Sequence, residues 1–521
     1  MSAENEILVV PKIGQGHLFP CIELCKYLLR RDFRITVLAD SDISSSVPSA
    51  LQQSPLFALV DVSPQPQETP ADPPAGFPRQ HQQMARGIES FLAGRDPARA
   101  RPVCAVIDHI MYKTEEVFSK LGIPTVTFIT SGACWAAVQH AAYVVRPDDM
   151  KPEEVRALPG LPNEMVLSYS DLKQRRHWMP SNRGGRGGGR GPGGSGLQMG
   201  PPLPGQPAPW VEEVKSSVAL LINTCDDLER PFLDYVANLT GRPVWGIGPL
   251  LPDEYWRSAA SLLQERGIRP KRESNYSDDE IIGWLDRQPR NSVMYISFGS
   301  EVGPSAEEYP ELAKALEESS RPFIWVIQKK SGRPGPPGGG PAQMESSYFP
   351  HGLDSRVGER GLVIHGWAPQ LLILSHPSTG GFVSHCGWNS TVEAIVRGVP
   401  ILAWPIRGDQ YYNAKLVVNH LKIGALVCDE YPAEMVQKDD VLKGIERVLT
   451  DEGIRRRSVG LGERFERGFP ESSVTPMHHE LAFELRAVNK EVPAPVSLIS
   501  AVCNMSFSWV LNDPLLQSFV E

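Results

Sequence analysis

Short β-branched or apolar runs alternate along this chain with longer segments whose apolar residues recur at helical spacing, and the alternation occurs twice. No other pattern narrows the fold as much. A strand-length run followed by a helical segment and another strand-length run is the unit of a parallel sheet with crossover helices. In the first half the strand runs are Ile7 to Val10, Ile35 to Leu38, Val103 to Ile107, Thr125 to Phe128 and Leu220 to Asn223, with helical patterns at Thr114 to Leu121 and Ala133 to Val144 among them. The stretch Pro243 to Pro252, rich in Pro and Gly, interrupts the pattern. A second series follows: strands at Val293 to Ser297, Phe323 to Ile327, Gly361 to Ile364, Gly380 to Ser384 and Ile401 to Trp404, with helices near Ala306 to Glu318, Thr391 to Arg397 and Val441 to Thr450. The predicted class is α/β, with two Rossmann-like doubly wound domains at 1–245 and 254–473, joined by a linker at 246–253. Open parallel sheets bind ligands beyond the carboxyl ends of their strands, so the cleft between the two domains is where chemistry is expected.

Composition excludes several alternatives. Hydrophobic residues make up 41% and charged residues 22% of the 521, a balance that builds a packed core and does not fit a disordered chain. With 52 Lys and Arg against 61 Asp and Glu, the net charge of −9 opposes general attraction to nucleic acid or anionic membrane. No uninterrupted apolar stretch reaches the length of a spanning helix. The opening residues before Ile7 include two acids and no basic region, so neither a secretory signal nor a transit peptide is read there, and a cytoplasmic location is expected. The eight cysteines are scattered without C-x-x-C pairs and read as buried free thiols.

Three short features suggest other chemistry and are set aside. The Gly-rich insertion at about 182–209 holds an arginine-glycine run with Arg183, Arg186 and Arg190; three arginines in an acidic chain read as a surface insertion rather than an RNA-binding box, and no nucleic-acid partner is expected. Gly332 to Pro341 is a loop by composition. Asp40-Ser41-Asp42 has the D-x-D form of a metal motif but follows the second strand, away from the expected cleft, and is taken as a solvated loop; no metal site is predicted.

The densest chemical signal runs from Trp367 to Gln410. Gly380 to Ser384 reads as a strand, His385-Cys386-Gly387-Trp388 as a tight turn, and Asn389-Ser390-Thr391-Val392-Glu393 as the opening of a helix capped by a small polar residue. Such a turn aims backbone N–H groups and the positive helix end at one point, a site suited to a diphosphate. His385 adds a donor there, and Glu393, one turn into the helix, is placed to accept from a ribose hydroxyl. Ser297-Phe298-Gly299-Ser300 ends another strand and faces the same cleft.

The first half offers a base. Gly14-Gln15-Gly16-His17 follows the first strand, but Phe19 stands where a dinucleotide fingerprint needs its third glycine, so an oxidoreductase reading loses support. His17 sits instead at a strand-to-helix turn, and imidazole is the natural neutral-pH base for a hydroxyl. Asp108 directly follows a strand of the same sheet and can hold the ring in one tautomer.

Taken together, Trp367-Ala368-Pro369-Gln370, His385-Cys386-Gly387-Trp388-Asn389-Ser390 and Asp409-Gln410 closely resemble the plant secondary product glycosyltransferase box of the family 1 UDP-glycosyltransferases, inverting enzymes of the GT-B fold. The resemblance implies that Trp367 stacks on uracil, with Ala368 and Gln370 near the base and ribose. It implies that His385, Asn389 and Ser390, in the turn containing Gly387 and joined by Ser300, contact the diphosphate, and that Glu393 holds the ribose. Trp388, Asp409 and Gln410 match sugar-binding positions, and the closing Gln410 favours UDP-glucose over UDP-galactose. His17 and Asp108 match the family's catalytic pair, and Thr130 a position near the sugar.

The implied enzyme moves glucose from UDP-glucose to a hydroxyl of a small hydrophobic acceptor, such as a flavonoid or other phenolic, with no cofactor and no metal. Other UDP-sugars, or a binding protein without turnover, are the alternatives. A monomer is expected. The family pattern also implies a helix at 474–488 crossing back to the first domain, and leaves the tail 489–521 unmatched.

Overall fold

The computed structural model describes residues 5–470 except 41–42, 44–45, 64–77, 98, 146–149, 170, 172–207, 258, 264–272, 329–349, 429–434 and 467. The arginine-glycine run, the 332–341 loop, the helix expected at 474–488, the tail and Cys503 therefore lie outside the described residues, as do Ser41 and Asp42.

Two parallel sheets organise the chain. The first has seven strands in the order β3-β2-β1-β4-β5-β8-β9: β1 Glu6–Val10, β2 Arg34–Ala39, β3 Phe57–Asp61, β4 Cys104–Asp108, β5 Thr125–Ile129, β8 Ala219–Ile222 and β9 Val244–Gly246. The second has six in the order β12-β11-β10-β13-β14-β15: β10 Val293–Ser297, β11 Phe323–Ile327, β12 Gly361–His365, β13 Thr379–Ser384, β14 Ile401–Ala403 and β15 Gly424–Leu426. A small antiparallel pair, β6 Val155–Ala157 with β7 Val166–Ser168, stands apart. All the pairings within the two large sheets are parallel; for example Leu8 lies beside Thr36 on one side and Ala105 on the other.

The strands form where the apolar runs stand because both sheet faces are covered. In β1, Ile7 and Val9 pack into one core, while Leu8 and Val10 pack into another on the opposite face. In the second sheet Met294 and Ile296 of β10 face one core, while Val293 and Tyr295 face a second. That last core runs on without a break into the first half, through Ile129, Trp388, Leu220 and Phe232. The strand order reverses direction between β1 and β4, and again between β10 and β13, so each sheet has a crevice at the carboxyl end of those strands. The two crevices face one another.

Several elements differ from the sequence reading. β3, β9, β15, the hairpin and the helix Asp226–Thr240 were not foreseen. Strand β9 pairs in parallel with β8 and carries the first sheet to Gly246, inside the Pro- and Gly-rich stretch. Asp40, the described acid of the D-x-D triplet, accepts from Ser63 Oγ at 2.9 Å. Six of the seven described cysteines are buried, and all seven are free thiols; Cys428 is half-buried. Among the described residues no helix is long and apolar enough to cross a membrane.

Candidate active site

The carboxyl ends of β1, β4 and β5 bring three side chains together. The helix Gln15–Leu29 starts directly after the β1 loop and places His17 in its first turn. Asp108 closes β4, and Thr130 follows β5. His17 Nδ1 lies 2.8 Å from Asp108 Oδ2 and 3.0 Å from Thr130 Oγ1. Asp108 is buried, its side chain 1% exposed, while that of His17 is 29% exposed, so the carboxylate sits behind the ring. Asp108 Oδ1 also accepts from the Ile110 backbone N–H at 3.0 Å.

These contacts decide the charge balance. Burial works against a charged His17, but the Asp108 carboxylate beside it, with a smaller contribution from Asp409, more than offsets this and raises its pKa above 6.5. Burial likewise disfavours the Asp108 anion, yet the His17 ring and the Ile110 N–H hold its pKa below the usual carboxylate value. With Nδ1 turned to the carboxylate, the other ring nitrogen, Nε2, is the one left to act as a base.

The second sheet supplies a turn. After β13, Cys386 adopts φ 60, a left-handed conformation uncommon for a residue with a side chain. It is held by its own N–H on Ser384 Oγ at 3.0 Å and by Asn413 Nδ2 donating to its carbonyl at 2.9 Å. The helix that follows spans Trp388–Val396 with Gly387 at its N-cap and no side-chain cap. The expected small polar cap is thus corrected: helix geometry begins at Trp388, before Asn389 and Ser390, and the left-handed Cys386 lets the backbone make the turn alone. The first-turn amides of Trp388, Asn389 and Ser390 have no partner within the helix.

His385 packs between two glycines that no other residue can replace without displacement. A Cβ on Gly299, which has φ 75, would lie 2.8 Å from His385 Nε2, and one on Gly387 would overlap the same atom. Burial, helped by the nearby Arg407 cation, pushes the His385 pKa down to about 4, so the ring is neutral near pH 7. Its Nδ1 has no hydrogen-bond partner among the described residues.

Other box residues join in one network. Gln370 Nε2 donates to Glu393 Oε2 at 2.7 Å and to Ser390 Oγ at 3.0 Å, while its Oε1 accepts from Tyr295 OH at 3.1 Å. Gln410 Oε1 accepts from the backbone N–H groups of Ile406 and Arg407, both at 2.9 Å, which fixes which way its amide points. The Trp388 indole N–H is committed to the Asn223 carbonyl at 2.6 Å, leaving its ring and backbone amide for any ligand.

The two crevices open into one cavity of about 780 Å³. Its lining includes His17 and Thr130 from the first sheet. From the second it includes Ser300, Trp367, Ala368, Gln370, His385, Gly387, Trp388, Asn389, Ser390, Glu393, Asp409 and Gln410. Asp108 alone of the residues singled out in the sequence is not on the wall, being behind His17. Besides the Trp388 to Asn223 bond, direct bonds span the halves at this cavity: Asn389 Nδ2 donates to the Gly16 carbonyl at 3.3 Å, next to His17, and Ser131 Oγ donates to Asp409 Oδ2 at 2.7 Å.

Sequence reasoning missed several residues on the cavity wall and one buried behind it. His109 and Trp135 line the first-domain wall. Glu301 and Arg407 form an ion pair of 2.7 Å across the loops after β10 and β14. Glu229 is buried and accepts from the N–H groups of Ala133 and Cys134, both at 2.8 Å, at the start of the helix Ala133–Val144. For His109 the only signal was its place next to Asp108; the others carry no pattern in the sequence. Among the described residues, no cluster of three or more His, Cys, Asp or Glu is arranged as a metal site.

Comparison with known proteins agrees with this geometry. Residues 267–462 match the family model described as UDP-glucoronosyl and UDP-glucosyl transferase. The chain is 30% identical over 481 residues, 87% of its length and 88% of the relative's, to anthocyanidin 3-O-glucosyltransferase 5 of Manihot esculenta. It is 28% identical over 492 residues, 88% and 93% of the two lengths, to anthocyanin 3'-O-beta-glucosyltransferase of Gentiana triflora. A solved structure of Phytolacca americana UGT2, complexed with UDP-2fluoro-glucose and pterostilbene, superposes with a TM-score of 0.67 at 25% identity, covering 93% of this chain and all of that one. With two parallel sheets meeting at a shared cleft and relatives matched over most of their length, the chain belongs to the plant family 1 UDP-glycosyltransferases, of GT-B fold, and is a glycosyltransferase.

Proposed function

We propose that the protein transfers glucose from UDP-glucose to a hydroxyl of a small, largely hydrophobic acceptor such as a flavonoid or other phenolic. The observation that carries this reading is the 2.8 Å contact between His17, on the wall of the cavity that also holds the 385–390 turn, and Asp108 behind it. His17 Nε2 removes the acceptor proton as the oxygen attacks the anomeric carbon from the face opposite UDP, which inverts that centre. Asp108 keeps Nδ1 protonated and stabilises the imidazolium. Charge developing on the departing diphosphate meets the first-turn amides of the helix Trp388–Val396, with His385 and Ser300 beside them. That preorganised field stands in for a metal, and activity in the presence of a chelator is expected.

Glu393 and Gln370 hold the ribose, Trp367 the base, and Asp409 and Gln410 the hexose. The glucose donor is supported by Gln410, and the phenolic acceptor by the names of the Manihot and Gentiana relatives. The test is product formation from UDP-glucose with a panel of phenols, followed by mass spectrometry. A β-linked glucoside is the expected product; donor binding with no transfer to any acceptor, or hydrolysis of the donor alone, refutes the assignment.

A further inference from the structure

His109 is a titratable residue on the acceptor side of the cavity that has no part in the mechanism above. It lines the wall beside His17, the two ring centroids 6.2 Å apart, and its other neighbour is Trp135, at 5.5 Å. Its Nδ1 lies 3.6 Å from Asp108 Oδ1, too far for a hydrogen bond, and has no hydrogen-bond partner among the described residues. The same carboxylate thus faces both imidazoles, one on each oxygen. Its field favours the tautomer with the proton on Nδ1 in both rings, which leaves each Nε2 as a lone-pair acceptor. Burial outweighs the nearby Asp108 carboxylate and, with a smaller contribution from His17, pushes the His109 pKa down to about 4, so His109 is neutral at working pH and does not compete as the proton carrier.

Two neighbouring rings that each offer an acceptor nitrogen set a condition on what binds. A hydroxyl has one proton to give, so it can donate to one ring only. A second O–H is needed to satisfy the other, and it must sit close to the first because the rings are neighbours. We propose that His109 is a specificity residue that selects acceptors bearing a second hydroxyl adjacent to the one attacked, an ortho-dihydroxy aromatic, with Trp135 offering a face to the acceptor ring. This rests on the reading of His17 as the acceptor's base.

The test separates binding from transfer. The protein saturated with UDP is titrated calorimetrically with an ortho-dihydroxyphenyl ligand and with its monohydroxy counterpart. The wild-type chain is expected to favour the dihydroxy ligand by about five- to tenfold, the worth of one hydrogen bond of ordinary strength. His109→Phe should abolish that ratio by weakening only the dihydroxy ligand, and His109→Asn should keep part of it. UDP affinity reports whether each variant is folded; should His109→Phe lose it, His109→Ala carries the same comparison.

A wild-type ratio of one, a ratio that survives in the apolar variant, or a parallel loss for both ligands would overturn the proposal. If the ratio behaves as expected while no acceptor is glycosylated, the transfer reading fails and only the binding preference set by His109 stands.

Discussion

At the scale of single residues, some members of the site are legible in sequence and others only in space. His17 and Asp108 were both readable, because each stands at the carboxyl end of a recognisable strand. His109 was visible only as the neighbour of Asp108; that its ring joins the cavity wall depends on how the segment after β4 turns. Replacing His17 by Ala should lower kcat by roughly 10²- to 10⁴-fold, the usual worth of a general base, with UDP affinity unchanged. The pH profile tests the pair more sharply. A base works deprotonated, and the pKa of His17 is raised above 6.5 by Asp108, so the acidic limb of kcat/KM should lie above that value. In Asp108→Asn the limb should move to lower pH while the plateau falls. A limb that stays in place would mean that another group titrates.

Gln410 makes a residue-scale prediction of its own. Its Oε1 is fixed by two backbone N–H groups, so its NH₂ end has a set direction. Gln410→His should lower the proposed preference for UDP-glucose over UDP-galactose by about tenfold in kcat/KM, equivalent to one or two hydrogen bonds. An unchanged ratio in a competition assay would place donor selection elsewhere.

At the scale of elements, strands buried on both faces announced themselves and several others did not. Val293–Ser297 and Phe323–Ile327 are found at the residues expected, because continuous apolar runs have one stable use in a covered parallel sheet. β9 and β15 have only three residues each, and too few to show a period. The helix start at Trp388 escaped the reading because its N-cap is glycine and the turn is made by a left-handed Cys386, so none of the usual capping residues marks it. The helix Ala133–Val144 shows a cost of this kind of hidden support. Glu229 supplies its capping carboxylate from far along the chain, and burial raises the pKa of that group to about 7.

The sign of the pH effect follows from that shift. The folded chain holds the Glu229 proton more tightly than the unfolded chain, whose value is near 4.5, so the contribution of this group to stability falls as pH rises from about 4.5 to about 7. Glu229→Ala should remove that pH dependence. It should also lower the unfolding free energy by about 2–4 kcal/mol, because two buried N–H groups lose their acceptor. Since the same helix carries Trp135, Val138 and Gln139 on the cavity wall, KM for the acceptor should rise in parallel. Denaturant midpoints that fall at the same rate with pH in both proteins would count against the assignment.

At the scale of the whole molecule, the proposed chemistry divides between halves: most of the proposed donor contacts lie after strands of the second sheet, and the base lies after β1 of the first. Binding UDP and transferring sugar are therefore separable, because only transfer needs the two sheets in register to a fraction of an ångström. The continuous core through Trp388 and Phe232 sets the gross position of the halves. Polar links then set the fine position, and the side-chain bond from Ser131 to Asp409 reaches the proposed sugar site from the acceptor side. Asp409 keeps a second partner, Asn413 Nδ2 at 3.0 Å, so removing the serine hydroxyl leaves the carboxylate anchored to its own half while freeing it from the other. Ser131→Ala should accordingly leave UDP affinity within about twofold and lower kcat by about tenfold, or ~1.4 kcal/mol in the barrier. Calorimetric titration with UDP and steady-state kinetics with a saturating acceptor measure the two quantities. A fall in UDP affinity that matches the fall in kcat would show that the link shapes the donor site itself, and an unchanged kcat would show that the remaining contacts between the halves hold the hexose against the base without it.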